Sequence, residues 1–361
     1  MNIYHFADNM SIESGGVRTV LLNLDKYINK ANSKSSHIIT NKKEKDDPYI
    51  EFPSQVFKPW CFSNKLQPYL KTNIADINAM HLHGVFMHSQ YLASKIAIKH
   101  KIPYVTSPHG MLEPWHLNDK KFKKKLYLKF ILENILSNSN IIHAITPLEK
   151  ENIFKLTDHK NIIEIPNFIF HSELPKNQEY NPKEEYLLFL SRIHPKKGLD
   201  ILLQAMTLII DKKIKLKVVG SENKYSLELQ VMAQKLGIAS RIEFVGSVFG
   251  AEKFNLFANA KVFIAPSYSE AIGMVNLEAA VCTTPVITTF NTGINPEWSR
   301  NGGIMIQPNV EELSAAINQA VSWTLEERKD RGKKLSEFVI NNYSWEKKGF
   351  MWDELYDELP P

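Results

Sequence analysis

Short apolar runs alternate with amphipathic stretches along this chain. Residues 3–7, 36–40, 79–83, 104–107 and 141–145 read as strands. After the first of them a turn-prone stretch ends in Ser14-Gly15-Gly16. From there the apolar positions Val17, Val20, Leu21, Leu24 and Ile28 recur with helical spacing. Further helical patterns fall around 88–99 and 121–136. Strands alternating with helices predict a parallel sheet with crossover helices, an α/β fold.

The pattern then breaks. Residues 171–185 read HSELPKNQEYNPKEE, with two prolines and almost nothing apolar, the composition of a linker. After it the alternation restarts, with buried strands expected at 186–190, 216–219, 242–245, 262–265 and 286–288. Helices are expected at 200–210, 226–236, 251–258, 274–281 and 311–324. The last stretch, 344–359, reads as a helix carrying Trp345, Phe350, Trp352 and Tyr356, which need a surface to bury against. The expected organisation is therefore a first Rossmann-like doubly wound domain over 1–170, a linker over 171–185 and a second such domain over 186–343. The two face a cleft, and a terminal helix over 344–361 crosses back to the first domain.

Composition narrows the class of protein. With 361 residues, 43% hydrophobic and 23% charged, the chain has enough apolar material for two globular domains. Its first seven residues stop at Asp8, too short for a signal core or a membrane span. Cys61 and Cys282 are its two cysteines, neither a disulfide framework nor a metal cluster, and the expected location is the cytoplasm. The net charge of +5 is unevenly spread. Residues 1–150 hold 20 Lys and Arg against 12 Asp and Glu, and the rest of the chain is slightly acidic. The densest stretch, Lys120, Lys121, Lys123, Lys124, Lys125 and Lys129, alternates with aromatic and aliphatic residues. It reads either as a segment lying on the anionic inner face of the plasma membrane or as a solvated face covering the core with its lysine stems. No nucleic-acid-binding motif accompanies these charges.

The candidate chemistry is concentrated in a few segments. Residues 266–289 read PSYSEAIGMVNLEAAVCTTPVITT: a strand end, a loop with Gly273, then a helix from Met274. Glu270 sits in the loop and Glu278 one turn into the helix. A helix N-terminus offers unpaired amides and partial positive charge to a phosphate, and a glycine there lets the ligand approach. Upstream, FLSRIHPKKGLD over 189–200 places Arg192 and Lys197 in a strand-turn-helix element, where two cations can neutralise an anion. In the first half, Pro108-His109-Gly110 and His83-Gly84 follow two of the strands. Ser14-Gly15-Gly16 follows the first one, a pattern that an ordinary strand-to-helix turn also produces.

Together these segments resemble the group 1 glycosyltransferases, the retaining family four with the GT-B fold, over nearly the whole chain. The shared pattern is two glutamates spaced by seven residues around a glycine at a helix start, followed by a Pro-Val-Ile strand, and a basic Arg…Lys-Gly element upstream. The resemblance implies that Glu270 contacts the donor sugar and Glu278 the ribose hydroxyls. Backbone amides around Gly273, Met274 and Val275 would hold the diphosphate, and Arg192 and Lys197 would stabilise the leaving group. The glycine-rich loop implies a backbone at Gly15 and Gly16 that faces acceptor and donor phosphates, with Arg18 reaching an acidic acceptor group. His109 is implied at the reaction centre, with His83 lining the cleft. Glu113 either faces the acceptor or makes a loop salt bridge.

Three places depart from the family pattern. Ser191 stands where glycine is usual, Ala271-Ile272 replaces Gly-Phe, and Cys282-Thr283-Thr284 stands where a glycine usually precedes the Pro-Val strand. The implied reaction moves a hexose-type sugar from a nucleotide-sugar to a saccharide acceptor. A polyprenyl-diphosphate-linked oligosaccharide of bacterial surface polysaccharide (O-antigen, lipopolysaccharide) is the leading acceptor. No Asp-x-Asp occurs in the chain and its histidines are scattered, so neither metal nor other cofactor is expected. A GT-B sugar-nucleotide epimerase acting on donor alone, or a non-enzymatic two-lobed sugar binder, are the rival readings. A dinucleotide-dependent dehydrogenase lacks its G-x-G-x-x-G after the first strand.

Overall fold

The computed structural model describes residues 1–30, 33–55, 60–114, 127–174, 180 and 184–361, and the chain divides into two compact units. Lys120 to Lys125 lie outside the described residues, as does the side chain of Lys129. No helix among the described residues is long and apolar enough to cross a membrane.

The first unit comprises Met1–Phe168 and Gly349–Pro361. Its seven strands are β1 (Asn2–Ala7), β2 (Ser35–Thr40), β3 (Ile50–Glu51), β4 (Ala79–His83), β5 (Tyr104–Ser107), β6 (Ile141–Ala144) and β7 (Ile162–Glu164). They pair in the order β3-β2-β1-β4-β5-β6-β7, all parallel. Helix Gly16–Lys30 packs on the sheet through Val20, Leu21, Leu24 and Ile28, the stripe expected from sequence. Strands β1, β4, β5 and β6 are buried on both faces, as parallel strands under helices are. Four of the residues they bury are histidines, His5, His81, His83 and His143.

The second unit is Ile169–Lys348. Strands β8 (Tyr186–Leu190), β9 (Lys215–Val219), β10 (Ile242–Gly246), β11 (Val262–Ala265), β12 (Val286–Thr289) and β13 (Ile304–Ile306) pair in the order β10-β9-β8-β11-β12-β13, again parallel. Helices Leu199–Thr207 and Val310–Ser322 close over its aliphatic core. Both units thus have the doubly wound, Rossmann-like topology.

The strand order reverses between β1 and β4 in one unit and between β8 and β11 in the other. At such a switch point the loops leaving the two strand ends diverge, opening a crevice that serves ligands in open α/β sheets.

Boundaries differ from the sequence reading in two places. Ile169 N–H donates to the Tyr343 carbonyl at 2.9 Å and Trp345 N–H to the Ile169 carbonyl at 3.1 Å. They tie Ile169 to the second unit, and the chain passes between the units at Phe168/Ile169 and at Lys348/Gly349. Helix Trp345–Lys348 therefore belongs to the second unit, and Phe350–Asp357 to the first. The expected linker is also partly structural. Tyr180 is buried, with the Arg328 guanidinium 3.9 Å from its ring centroid.

Candidate active site

In the second unit the loops leaving β8 and β11 are stitched together. The backbone turns at Gly198, whose φ of +69° suits glycine, and a Cβ there would lie 2.1 Å from the Pro266 carbonyl oxygen. Tyr268 N–H donates to the Lys196 carbonyl at 2.9 Å. That contact brings the Lys197 ammonium onto the Glu270 carboxylate as an ion pair, half-buried in a narrow pocket at the strand ends. Gly273 caps the helix Met274–Val281 with φ +71°. The amides of Met274 and Val275 in its first turn have no intrahelical acceptor. Behind them Asn276 is buried, its Nδ2 donating to the Ile272 carbonyl at 3.0 Å and its Oδ1 unpartnered. One turn on, Glu278 pairs with Lys253 at 2.8 Å. Arg192 is exposed and makes no ion pair among the described residues. The structure therefore brings Lys197, Glu270, Gly273 and the helix amides into one place.

In the first unit the β1–β4 switch point is lined by imidazoles. His5 Nδ1 lies 2.9 Å from His83 Nε2, and His83 Nδ1 lies 2.9 Å from His109 Nε2. A second chain runs beside it, and its proton order follows from one end. The Ile165 carbonyl can only accept, so His143 Nε2 carries the hydrogen of that 2.7 Å bond. Burial holds His143 down at about 4, so the ring is neutral and its Nδ1 accepts from Ser107 Oγ at 2.7 Å. Ser107 Oγ then accepts from His81 Nε2, and His81 Nδ1 accepts from the Tyr356 hydroxyl, each at 2.7 Å. Tyr356 lies on the terminal helix Phe350–Asp357, so this chain fixes that helix to β4. Desolvation also holds His5 and His109 at about 3, and His81 and His83 well below the ordinary imidazole range.

Histidines scattered in sequence are thus gathered by the fold, which spacing along the chain did not foretell. His5, His81 and His83 bring ring nitrogens within 4.8 Å of one another, close enough for a metal. The facing nitrogens of His5 and His83, and both nitrogens of His81, are occupied by the hydrogen bonds just described.

His109 has a positive φ, 55°, in a non-glycine residue. Its turn is held by Glu149, a residue the sequence reading missed. Glu149 is buried at the start of helix Pro147–Phe154 and accepts from Gly110 N–H at 2.6 Å and Ile145 N–H at 2.8 Å. Burial raises its carboxyl to about 7 against those two donors. The one signal in sequence is Thr146-Pro147 three residues before Glu149, a helix start that turns this side chain inward.

Other expected residues are placed differently. His83 is buried between His5 and His109 rather than lining an open surface. Arg18 is held by Asp47 through both guanidinium nitrogens, at 2.7 and 3.2 Å, and by the Met10 carbonyl. It braces the loop after β1. Glu113 is buried in the turn that follows His109, its N–H donating to the Gly110 carbonyl at 3.2 Å. Gly15 ends a short helical turn with φ +71°. Gly16 opens the next helix, and a Cβ there would meet nothing within 4 Å. The protein's own packing does not demand glycine at that position.

Both halves of the chain are similar to known proteins. Residues 14–173 match the model described as Glycosyltransferase Family 4, and residues 171–337 the one described as Glycosyl transferases group 1. The chain is 23% identical over 233 residues, 63% of its length, to the gpi3 subunit of the phosphatidylinositol N-acetylglucosaminyltransferase of Schizosaccharomyces pombe. The match covers 51% of that protein, and the chain spans about half or less of the curated relatives it matches. Among solved structures, HepE of Anabaena in complex with UDP-glucose superposes with a TM-score of 0.80 at 16% identity, covering 99% of this chain and all of that one (100%). WaaG, a glycosyltransferase involved in lipopolysaccharide biosynthesis, superposes with a TM-score of 0.73 at 17% identity over 98% of this chain and 99% of its own. These are GT-B folds, and the chain belongs to the group 1 glycosyltransferases.

Proposed function

We propose that the protein is a retaining, metal-independent glycosyltransferase that moves a hexose-type sugar from a nucleotide-sugar to a saccharide acceptor. The observation that carries this reading is the Lys197–Glu270 pair beside the first turn of helix Met274–Val281, at the switch point of the second sheet. A diphosphate drawn to the helix amides competes for Lys197 and frees Glu270 to accept from sugar hydroxyls. Arg192 and Lys197 then meet the charge that develops on the leaving phosphate. Glu278 takes the ribose diol in exchange for Lys253. No carboxylate is placed as a nucleophile in this scheme. The acceptor hydroxyl attacks on the face from which the nucleotide departs, and the leaving phosphate oxygen takes its proton. The family resemblance of the Pro108-His109-Gly110 segment supports His109 as a contact of the transferred sugar at the reaction centre. HepE was solved with UDP-glucose, which supports a nucleotide-sugar donor.

The role of WaaG in lipopolysaccharide biosynthesis supports a lipid-linked oligosaccharide acceptor met at the inner face of a membrane. On this reading the protein is cytoplasmic, and the lysine-rich segment supplies its membrane contact.

The test is thermal stabilisation of the full chain by UDP-, GDP-, ADP- and dTDP-sugars without added metal, and in EDTA. A ligand that binds the folded state raises the melting temperature with its saturation. One nucleotide family should shift it, and Glu278→Ala should remove the shift. Consumption of the donor to an isomer without acceptor, or activity lost in EDTA, would overturn the reading.

A further inference from the structure

The string His5–His83–His109 sets which nitrogen of His109 carries hydrogen. Its two links are N···N contacts of 2.9 Å, and in each one nitrogen must donate and the other accept. Packed together and desolvated, all three rings are neutral and carry one hydrogen each. A line of neutral imidazoles joined in this way has only two proton orders: every hydrogen on Nδ1, or every hydrogen on Nε2. The two orders differ at the ends. His5 Nε2 is buried and has no partner. Hydrogens on Nε2 would leave it an orphaned N–H, whereas hydrogens on Nδ1 leave it an idle lone pair. Buried orphan N–H groups are rarer than unused acceptors. The neighbouring chain runs from Tyr356 through His81, Ser107 and His143 to the Ile165 carbonyl, with both His81 nitrogens used, and makes no bond to His5.

We propose that His5 and His83 are positioning residues that hold His109 in its Nδ1–H form, so that it donates a hydrogen bond to an oxygen of the bound sugar and cannot serve as a base. This rests on the reading above that places His109 at the reaction centre. The Nε2 lone pair of His109 is taken by His83. His109 is partly exposed, and its bond to a described side chain is made through Nε2, which leaves the Nδ1–H for a ligand.

Long-range proton–nitrogen correlation spectra of the 15N-histidine-labelled full chain read the tautomers directly. Expected is the Nδ1–H pattern for His5, His83 and His109 together, and the Nε2–H pattern at His109 overturns the proposal. Transfer by two variants supplies the second readout. In His83→Asn the amide nitrogen stands where Nδ1 was and can still donate to His109, so turnover should remain close to wild type. His83→Phe fills the space without donating, and should lose about tenfold or more. Phe as active as Asn would mean that position 83 only packs, and would also overturn it. Should a variant fail to fold, the wild-type spectrum still decides. A separate failure, of His109's place in the reaction, shows as wild-type turnover by His109→Ala whatever tautomer is found.

Discussion

The Lys197–Glu270 pair is half-buried, and an ion pair so placed contributes on the order of 1 kcal/mol to stability. Its worth to the protein lies elsewhere: an ammonium and a carboxylate are kept in register at the mouth of a helix N-terminus. Glu270→Ala and Lys197→Ala should therefore each cut transfer by about 100-fold or more, the scale of losing one aligned charge in a reaction centre. Their melting temperatures should stay within a few degrees of wild type. Turnover and thermal melts measured side by side check this, and either variant turning over normally removes that residue from the site. Arg328 presents the opposite case. It is 1% exposed and donates to the carbonyls of Thr283, Ala258 and Ala260, a purely structural use of a cation. Residue type alone could not separate these two roles. Neighbouring motif residues mark Lys197 as a candidate, and nothing in sequence marks the part Arg328 plays.

At the scale of elements, glycines report which loops are tight and which are open. Gly198→Ala drives a methyl group into the Pro266 carbonyl at a positive φ, so it should lower the melting temperature by several degrees and weaken donor binding as Lys197 is displaced. Gly16→Ala meets no atom within 4 Å and should leave stability unchanged. If substrate approaches that backbone, the same variant raises KM. Calorimetry and steady-state kinetics on the two variants separate packing from substrate contact. Most of the elements around these loops were legible. Strands β4, β5, β8 and β11 and helix Met274–Val281 stand where the apolar runs placed them, because each is buried nearly all round. Helix Leu325–Tyr343 was missed for a physical reason. Its inward positions are Arg328, Gly332, Leu335, Ser336, Val339 and Tyr343, helically spaced but mostly polar or small, so no apolar stripe marks it. Its capping box, Thr324 with Glu327, was the signal to follow. The imidazole cluster was illegible because it is assembled across β1, β4, β6 and the turn after β5, which only strand order brings together.

At the scale of the whole molecule, the two units should part under acid. Five histidines in the first unit, His5, His81, His83, His109 and His143, are held neutral by burial, with folded pKa values depressed below the ordinary 6.5. Unfolded, each takes a proton as pH falls below that value, and folded it does not until about pH 3 to 4 where a value is resolved. Their contribution is fully present above pH 6.5 and is lost as pH falls. Glu149 works the other way, since its raised carboxyl, at about 7, takes up its proton in the folded state first and favours folding as pH drops from 7 toward 4.5. Five imidazoles against one carboxyl leave a net loss on the order of 5 kcal/mol per pH unit near pH 5.5. That is comparable to the whole stability of a domain. The described histidines of the second unit, His171 and His194, are not among its buried residues, and His194 sets one depressed imidazole there against the five of the first unit. Hydrogen exchange on the full chain, corrected for intrinsic rates, should show β1, β4 and β6 losing protection between pH 6.5 and 5 while β8 and β11 keep theirs. Loss of β8 and β11 first, or of both sheets in one step, would mean that the five rings are not held neutral together. The proton order inferred along His5, His83 and His109 would lose its basis with them.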